Sequence, residues 1–365
     1  MAEKAIIDPW GSVLVEDYEK IIKDFGLDIF DPSMFPSPNR IMRRRVVFSG
    51  RDLVIIAKAI KEKKRFYVLS GIMPSAGKIH FGNKMVVENI RYFQEQGADA
   101  YILVADLESA ATRGVSLEEA QKRALNFHIP AYIALGMDPK KTTFYFQSQN
   151  MDVVHLAYEF AKKVTLSEFK AVYGDADPSR IMSAMTQSGD ILFPQLEEKM
   201  PGIIPVGIDQ DPHIRLTRDI VRRTKQKYKF FAPAGIYHKY TPSLDGELKM
   251  SKSRPMGNID LPEDMKSVRK KIMSALTGGK DTVEEQKKKG GEPEKCMIFE
   301  LYKQHLIEDD KELQRIYDDC RSGKLLCGED KKKCCELMEK FMKDFEKKAE
   351  IARKDVKKLK FIKFK

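Results

Sequence analysis

The sequence predicts an α/β protein: a Rossmann-type parallel-sheet domain with a helical insertion, followed by an all-α C-terminal domain. Three observations carry that expectation. A strand-like run, Phe66-Tyr67-Val68-Leu69, leads through a loop into an amphipathic helix over Phe81 to Gln96, and a continuous apolar strand from Ala100 to Ala105 follows. A later apolar strand ends at Gly207, with Asp209 just beyond it, where open α/β sheets hold ligands. Past Arg254 the chain turns lysine-rich and helical, punctuated by Gly278-Gly279 and Gly290-Gly291. The implied boundaries are 1–60 for an N-terminal extension, 61–258 for the parallel-sheet domain with its insertion at about 111–200, and 259–365 for the helical domain.

A chain of 365 residues, 42% hydrophobic and 33% charged, has the composition of a soluble globular protein of two or three domains. No run reaches the roughly 20 apolar residues of a membrane span. Met1-Ala2-Glu3-Lys4 lacks the apolar stretch of a signal peptide, and five cysteines suit a reducing compartment, so a cytoplasmic location is expected. The net charge of +11 is uneven: Lys331 to Lys365 holds thirteen lysines and one arginine against six acids. Such a concentration makes a polyanion, RNA above all, the expected partner.

In chain order, Ile7-Asp8-Pro9-Trp10-Gly11 holds the only tryptophan, an anchor for the N-terminal extension. Tyr18 to Phe25 reads as a short helix. Arg43-Arg44-Arg45 leads into a strand at Val46-Val47-Phe48, and Ser49-Gly50-Arg51-Asp52 opens a helix with apolar Leu53, Ile56, Ala57 and Ile60. After the β–α–β unit, Asp106 and Glu108 stand at a strand's carboxyl end; for Asp106 a helix cap and a ligand role are both open. Residues 111–200 read as mostly helical, broken by a third strand at Phe144-Tyr145-Phe146-Gln147. Within them Gln187 and Asp190 share a helical face among Met185, Ile191 and Leu192, a polar pair at a pocket wall. Leu261-Pro262-Glu263-Asp264 caps a helix through Leu276. Thr277-Gly278-Gly279-Lys280 lacks phosphate-loop spacing, and Cys327, Cys334 and Cys335 with His305 match no metal-binding spacing, so no metal site is expected.

Two segments have the chemistry of phosphate sites. Pro74-Ser75-Ala76-Gly77-Lys78-Ile79-His80-Phe81-Gly82-Asn83 opens a helix, where backbone N–H groups and the helix dipole meet an anion. Lys249-Met250-Ser251-Lys252-Ser253 places two ammonium groups and two hydroxyls in a loop after the turn Ser243-Leu244-Asp245-Gly246, able to close on a polyphosphate.

In this order and spacing the two segments resemble the signatures of class I aminoacyl-tRNA synthetases. His80-Phe81-Gly82-Asn83 stands for HIGH, with Asn83 replacing the second histidine, and residues 249–253 match KMSKS unchanged. Gly207-Ile208-Asp209-Gln210-Asp211-Pro212 and the Asp-Pro-Trp opening are similar to the tryptophanyl branch, archaeal and eukaryotic type. The resemblance implies activation of tryptophan with ATP and Mg²⁺, transfer to tRNA(Trp), a homodimer built on the insertion, and a C-terminal anticodon-binding domain. It assigns His80, Asn83, Lys249 and Lys252 to catalysis, and Gly82, Gly207, Asp209, Met250, Ser251 and Ser253 to ATP. Glu108, Gln187, Asp190 and Gln210 fall to tryptophan, with an ionised Asp190 or Gln187 accepting from the indole N–H. Leu69 and Leu103 depart from the eukaryotic pocket, which has Tyr and Gln there. A tyrosyl-tRNA synthetase and a non-catalytic RNA-binding paralogue are the alternatives; the tyrosyl pocket's tyrosine would be Ser183 here.

Overall fold

The computed structural model describes residues 17–175, 177–251 and 254–362; Asp8, Pro9, Trp10, Lys252 and Ser253 lie outside the described residues. A seven-stranded sheet runs through the molecule, built from β1 (Asp28–Ile29), β2 (Val47–Arg51), β3 (Tyr67–Ile72), β5 (Asp99–Val104), β6 (Thr142–Phe146), β7 (Gly202–Gly207) and β8 (Ala234–His238). Two further short strands, β4 (Ile79–His80) and β9 (Asp260–Leu261), pair antiparallel to each other. The sheet order is β1-β2-β8-β7-β3-β5-β6. Strands β8, β7, β3, β5 and β6 are mutually parallel, and the N-terminal β1 and β2 add an antiparallel edge. From β3 the chain steps outward to β5 and β6; β7 then returns to the other side of β3 and leads to β8. That reversal opens a crevice at the carboxyl ends of β3 and β7.

Side chains alternate between two buried faces. Val68, Ile72, Ile102, Val104 and Phe144 fall on one core, and Tyr67, Leu69, Leu103, Tyr145 and Ile204 on the other. Burial of both faces is why these strands read as unbroken apolar runs. Helices α1 (Tyr18–Phe25) and α2 (Leu53–Lys61) form where their patterns predict. The segment Ser49-Gly50-Arg51, expected to open α2, instead completes β2, because its backbone pairs with β8; the helix starts after Asp52, which adopts φ 51°. Helix α3 (Phe81–Glu95) crosses from β4 toward β5, and α4 (Asp106–Arg113) follows β5. Asp106 is not a helix cap: Ala105 takes that place, and the buried carboxylate accepts from Leu107 N–H, Ser148 N–H and Oγ, and Gln121 Nε2. Residues 142–146 belong to the main sheet, so the part of 111–200 that stands outside it is helical, with α5 (Ile129–Ala134) and α6 (Pro178–Leu192) its main packing surfaces.

Helix α7 (Asp211–Tyr228) follows β7. The C-terminal helices include α8 (Met265–Ser274), capped by Asp264, and the 29-residue α9 (Cys327–Asp355). Along α9, Cys334, Met338, Met342, Phe345, Ala349 and Ala352 make one buried stripe while the lysines stay outside. These helices share a single core with the first face of the sheet. The basic Arg43-Arg44 segment explains part of that docking. Arg44 donates to the carbonyls of Lys303 and Ile307, both at 2.7 Å, and both arginines reach Asp310 at 2.7 Å. At its end the chain returns to the sheet edge, where Ile362 N–H donates to Phe144 O at 2.8 Å and Phe361 stacks on Phe146.

Candidate active site

The crevice holds a cavity of about 940 Å³. His80, Gly82, Asn83, Glu108, Gln187, Gly207, Asp209, Gln210, Lys249, Met250 and Ser251 all line it, so residues from five separated segments meet there. His80 caps α3: its Nδ1 accepts from Gly82 N–H at 3.1 Å, and Asn83 Oδ1 accepts from His80 N–H at 3.1 Å. This reciprocal capping box closes the first turn, and in the neutral ring it leaves the imidazole proton on Nε2. At Gly82 a Cβ would stand 2.8 Å from His80 Cε1, so a larger residue there would push the capping ring aside. Pairing of His80 with Asp260 across β4 and β9 holds the start of α3 against the segment that follows the lysine loop.

Opposite, Gly207 ends β7 and Asp209 turns back beside it, so close that a Cβ on Gly207 would lie 2.4 Å from Asp209 Oδ1. Lys249 Nζ pairs with Asp209 Oδ2 at 3.2 Å and lies 4.7 Å from the Tyr240 ring centroid. The loop that carries Lys249 is braced. Met250 N–H donates to Thr241 O at 2.8 Å, Gly246 turns with φ +93°, and Arg254 pairs with Asp245.

The other arm of the cavity is largely apolar, with Leu69, Leu103, Ile191, Ile204 and Val206 in its lining beside Gln147, Gln187 and Glu108. Asp190 is not in that lining. It is fully buried one layer behind, where Oδ1 accepts from Tyr145 Oη–H at 3.0 Å and Oδ2 from Gln147 Nε2 at 2.7 Å. Burial pushes its carboxyl up to about 8, against the pull of those two donors. The expected ionised carboxylate facing an indole is therefore corrected: Asp190 reaches the cavity through Gln147. Gln147 is the residue that sequence reasoning missed, although it ends the strand already recognised at residues 144–147. His213, also in the lining, meets Tyr173 Oη at 2.9 Å; burial takes its pKa down to about 3, so it is a neutral ring. The neighbouring Asp211 serves structure instead: fully buried, it accepts from Arg51 and from Tyr237 Oη–H and ties α7 to β2 and β8.

A nucleotide-sized crevice at a strand-order reversal, a capped helix start on one wall and a lysine loop on the other, is the geometry that the two signatures require. The sequence model of the tRNA synthetases class I (W and Y) matches residues 61–343. The chain belongs to this family. Within the class I synthetases it groups with tryptophan–tRNA ligases. It is 42% identical to that of Hyperthermus butylicus, with 95% of each chain covered. To that of Methanocaldococcus jannaschii it is 44% identical, with 95% of this chain and 96% of the relative covered. The crystal structure of tryptophanyl-tRNA synthetase from Aeropyrum pernix K1 superposes with a TM-score of 0.89 at 40% identity, covering 98% of this chain and 99% of that one.

Proposed function

We infer that the chain is a tryptophan–tRNA ligase and that the cavity is where it activates tryptophan with ATP. The observation that carries this reading is the meeting of the α3 start and the Lys249 loop across one cavity, beside an apolar arm closed by amide side chains. A tryptophan carboxylate oxygen attacks the α-phosphorus; the bond to the bridging oxygen breaks and pyrophosphate leaves. A terminal ribose hydroxyl of tRNA(Trp) then attacks the activated carbonyl, and AMP departs. The protein supplies position and charge. His80 and the N–H groups at the α3 start face the phosphates. Asp209 accepts from ribose hydroxyls, which releases Lys249 to the charge developing on pyrophosphate. By the signature, Lys252 joins Lys249 in neutralising pyrophosphate, and Ser253 belongs to the nucleotide side. Gly82, Gly207, Met250 and Ser251 shape the nucleotide side, while Glu108, Gln187 and Gln210 take the amino-acid end.

Mg²⁺ enters bound to the triphosphate. The exposed Met151, Tyr158, Leu166 and Met182 on the helical segment after β6 support a homodimer, which sedimentation would test. No described helix is long and apolar enough to cross a membrane, consistent with a cytoplasmic enzyme. ATP–pyrophosphate exchange across the twenty amino acids tests the assignment. Exchange with tryptophan alone is expected; exchange with tyrosine, or with none, overturns it.

A further inference from the structure

His305 comes from the C-terminal helices, about 55 residues beyond the lysine loop, yet it touches both walls of the active site. Its ring packs on Phe81, the first residue of α3, with centroids 4.6 Å apart. Its Nε2 lies 3.2 Å from Thr241 Oγ1. Thr241 lines the cavity, and its carbonyl receives the N–H of Met250 in the lysine loop. Among the described residues His305 Nδ1 has no partner, so the bond to Thr241 is the ring's single polar tie. The turn that carries it is pinned from the N-terminal side, since Arg44 donates to the carbonyls of Lys303 and Ile307.

We propose that His305 is a positioning residue for tryptophan activation: a strut that sets the separation between the α3 start and the Lys249 loop through Phe81 and Thr241. The proposal rests on the proposed function of the cavity and adds a residue that touches neither substrate. Burial, with Lys84 and Arg40 nearby, keeps the ring well below the usual histidine range, so the strut is a neutral imidazole. A loosened strut leaves tryptophan binding intact and makes the closure of lysine against phosphate less well aligned. Its signature is therefore a fall in kcat with an unchanged KM for tryptophan.

The test uses the full chain with His305→Phe, which keeps the ring and removes the polar tie, and Thr241→Val, which removes the same bond from its other end. Each is expected to lower kcat of tryptophan-dependent ATP–pyrophosphate exchange by roughly 3- to 10-fold, the scale of one neutral hydrogen bond. The double variant should be no slower than the slower single one, and His305→Gln should recover most of the loss. Hydrogen exchange of the peptide spanning Met250 should quicken in both single variants. Wild-type kcat in both, losses that multiply in the double variant, or a lowered melting temperature with kcat and Met250 exchange unchanged would each overturn the strut. Absence of tryptophan-dependent exchange in the wild type would instead overturn the function itself, and the strut with it.

Discussion

Asp190 shows how surroundings decide what a carboxyl group does. Fully buried, with Tyr145 and Gln147 on its two oxygens, it orients an amide that faces the cavity. Its folded pKa of about 8 lies above the ordinary 3.8. Between those values the unfolded chain holds fewer protons than the folded one, so this group's contribution to stability falls as pH rises through the window. Asp190→Asn removes that slope: urea unfolding at pH 5 and pH 7.5 should show a smaller loss of stability toward pH 7.5 than in the wild type. An identical slope would show that Asp190 stays ionised. A second prediction concerns Lys252, for which the signature alone speaks. Lys252→Ala should lower kcat of activation by roughly 10²–10³, the effect of one lost electrostatic donor, with little change in KM for ATP. An unchanged kcat would reduce the loop to a solvated turn.

At the scale of elements, the start of α3 does two jobs with one set of atoms. His80 and Asn83 close the capping box and at the same time line the cavity proposed to take the triphosphate. The two jobs separate by substitution. Asn83→Ala loses the acceptor for His80 N–H and should cost about 1 kcal/mol, read as a lowered melting temperature. Asn83→Asp keeps an acceptor, and its charge suits a helix N-terminus but repels triphosphate. Its melting temperature should stay near the wild-type value while KM for ATP rises. Equal melting and equal KM in Asn83→Asp would show that this side chain only caps the helix.

Over the whole molecule, the N-terminal and C-terminal segments are bound to each other around the sheet. Arg44 holds the carbonyls of Lys303, Ile307 and Glu308 and the carboxylate of Asp310. Arg44→Met removes these bonds while keeping much of the apolar stem, and should destabilise the fold by roughly 2–4 kcal/mol. Denaturation should then become less cooperative, with the C-terminal helices exchanging hydrogen ahead of the sheet. A single unchanged transition would mean that the shared hydrophobic core suffices. The same return of the chain qualifies the lysine-rich tail. Lys358 pairs with Asp355, and the Lys360 carbonyl accepts from Phe144 N–H at 2.9 Å, so part of this charged stretch is spent on docking to the sheet edge.

What the sequence determined by itself was local: the β–α–β unit, the capped start of α3, the lysine loop, and the Gly207–Asp209 strand end. Each is written in adjacent residues whose spacing dictates backbone geometry, so these segments were legible before any fold was known, and the structure brings them to one cavity. Only the tertiary structure decided the rest. That Gln147 rather than Asp190 faces the cavity depends on Tyr145 and Gln147 meeting a carboxyl group more than forty positions away. That Ser49 to Arg51 extend a strand depends on pairing with β8, and that Arg44 clamps a turn and His305 braces both signatures depends on contacts across most of the chain. A polar residue in a sequence states what it can donate or accept. Its partner, and the burial that shifts its pKa, exist only once distant segments pack.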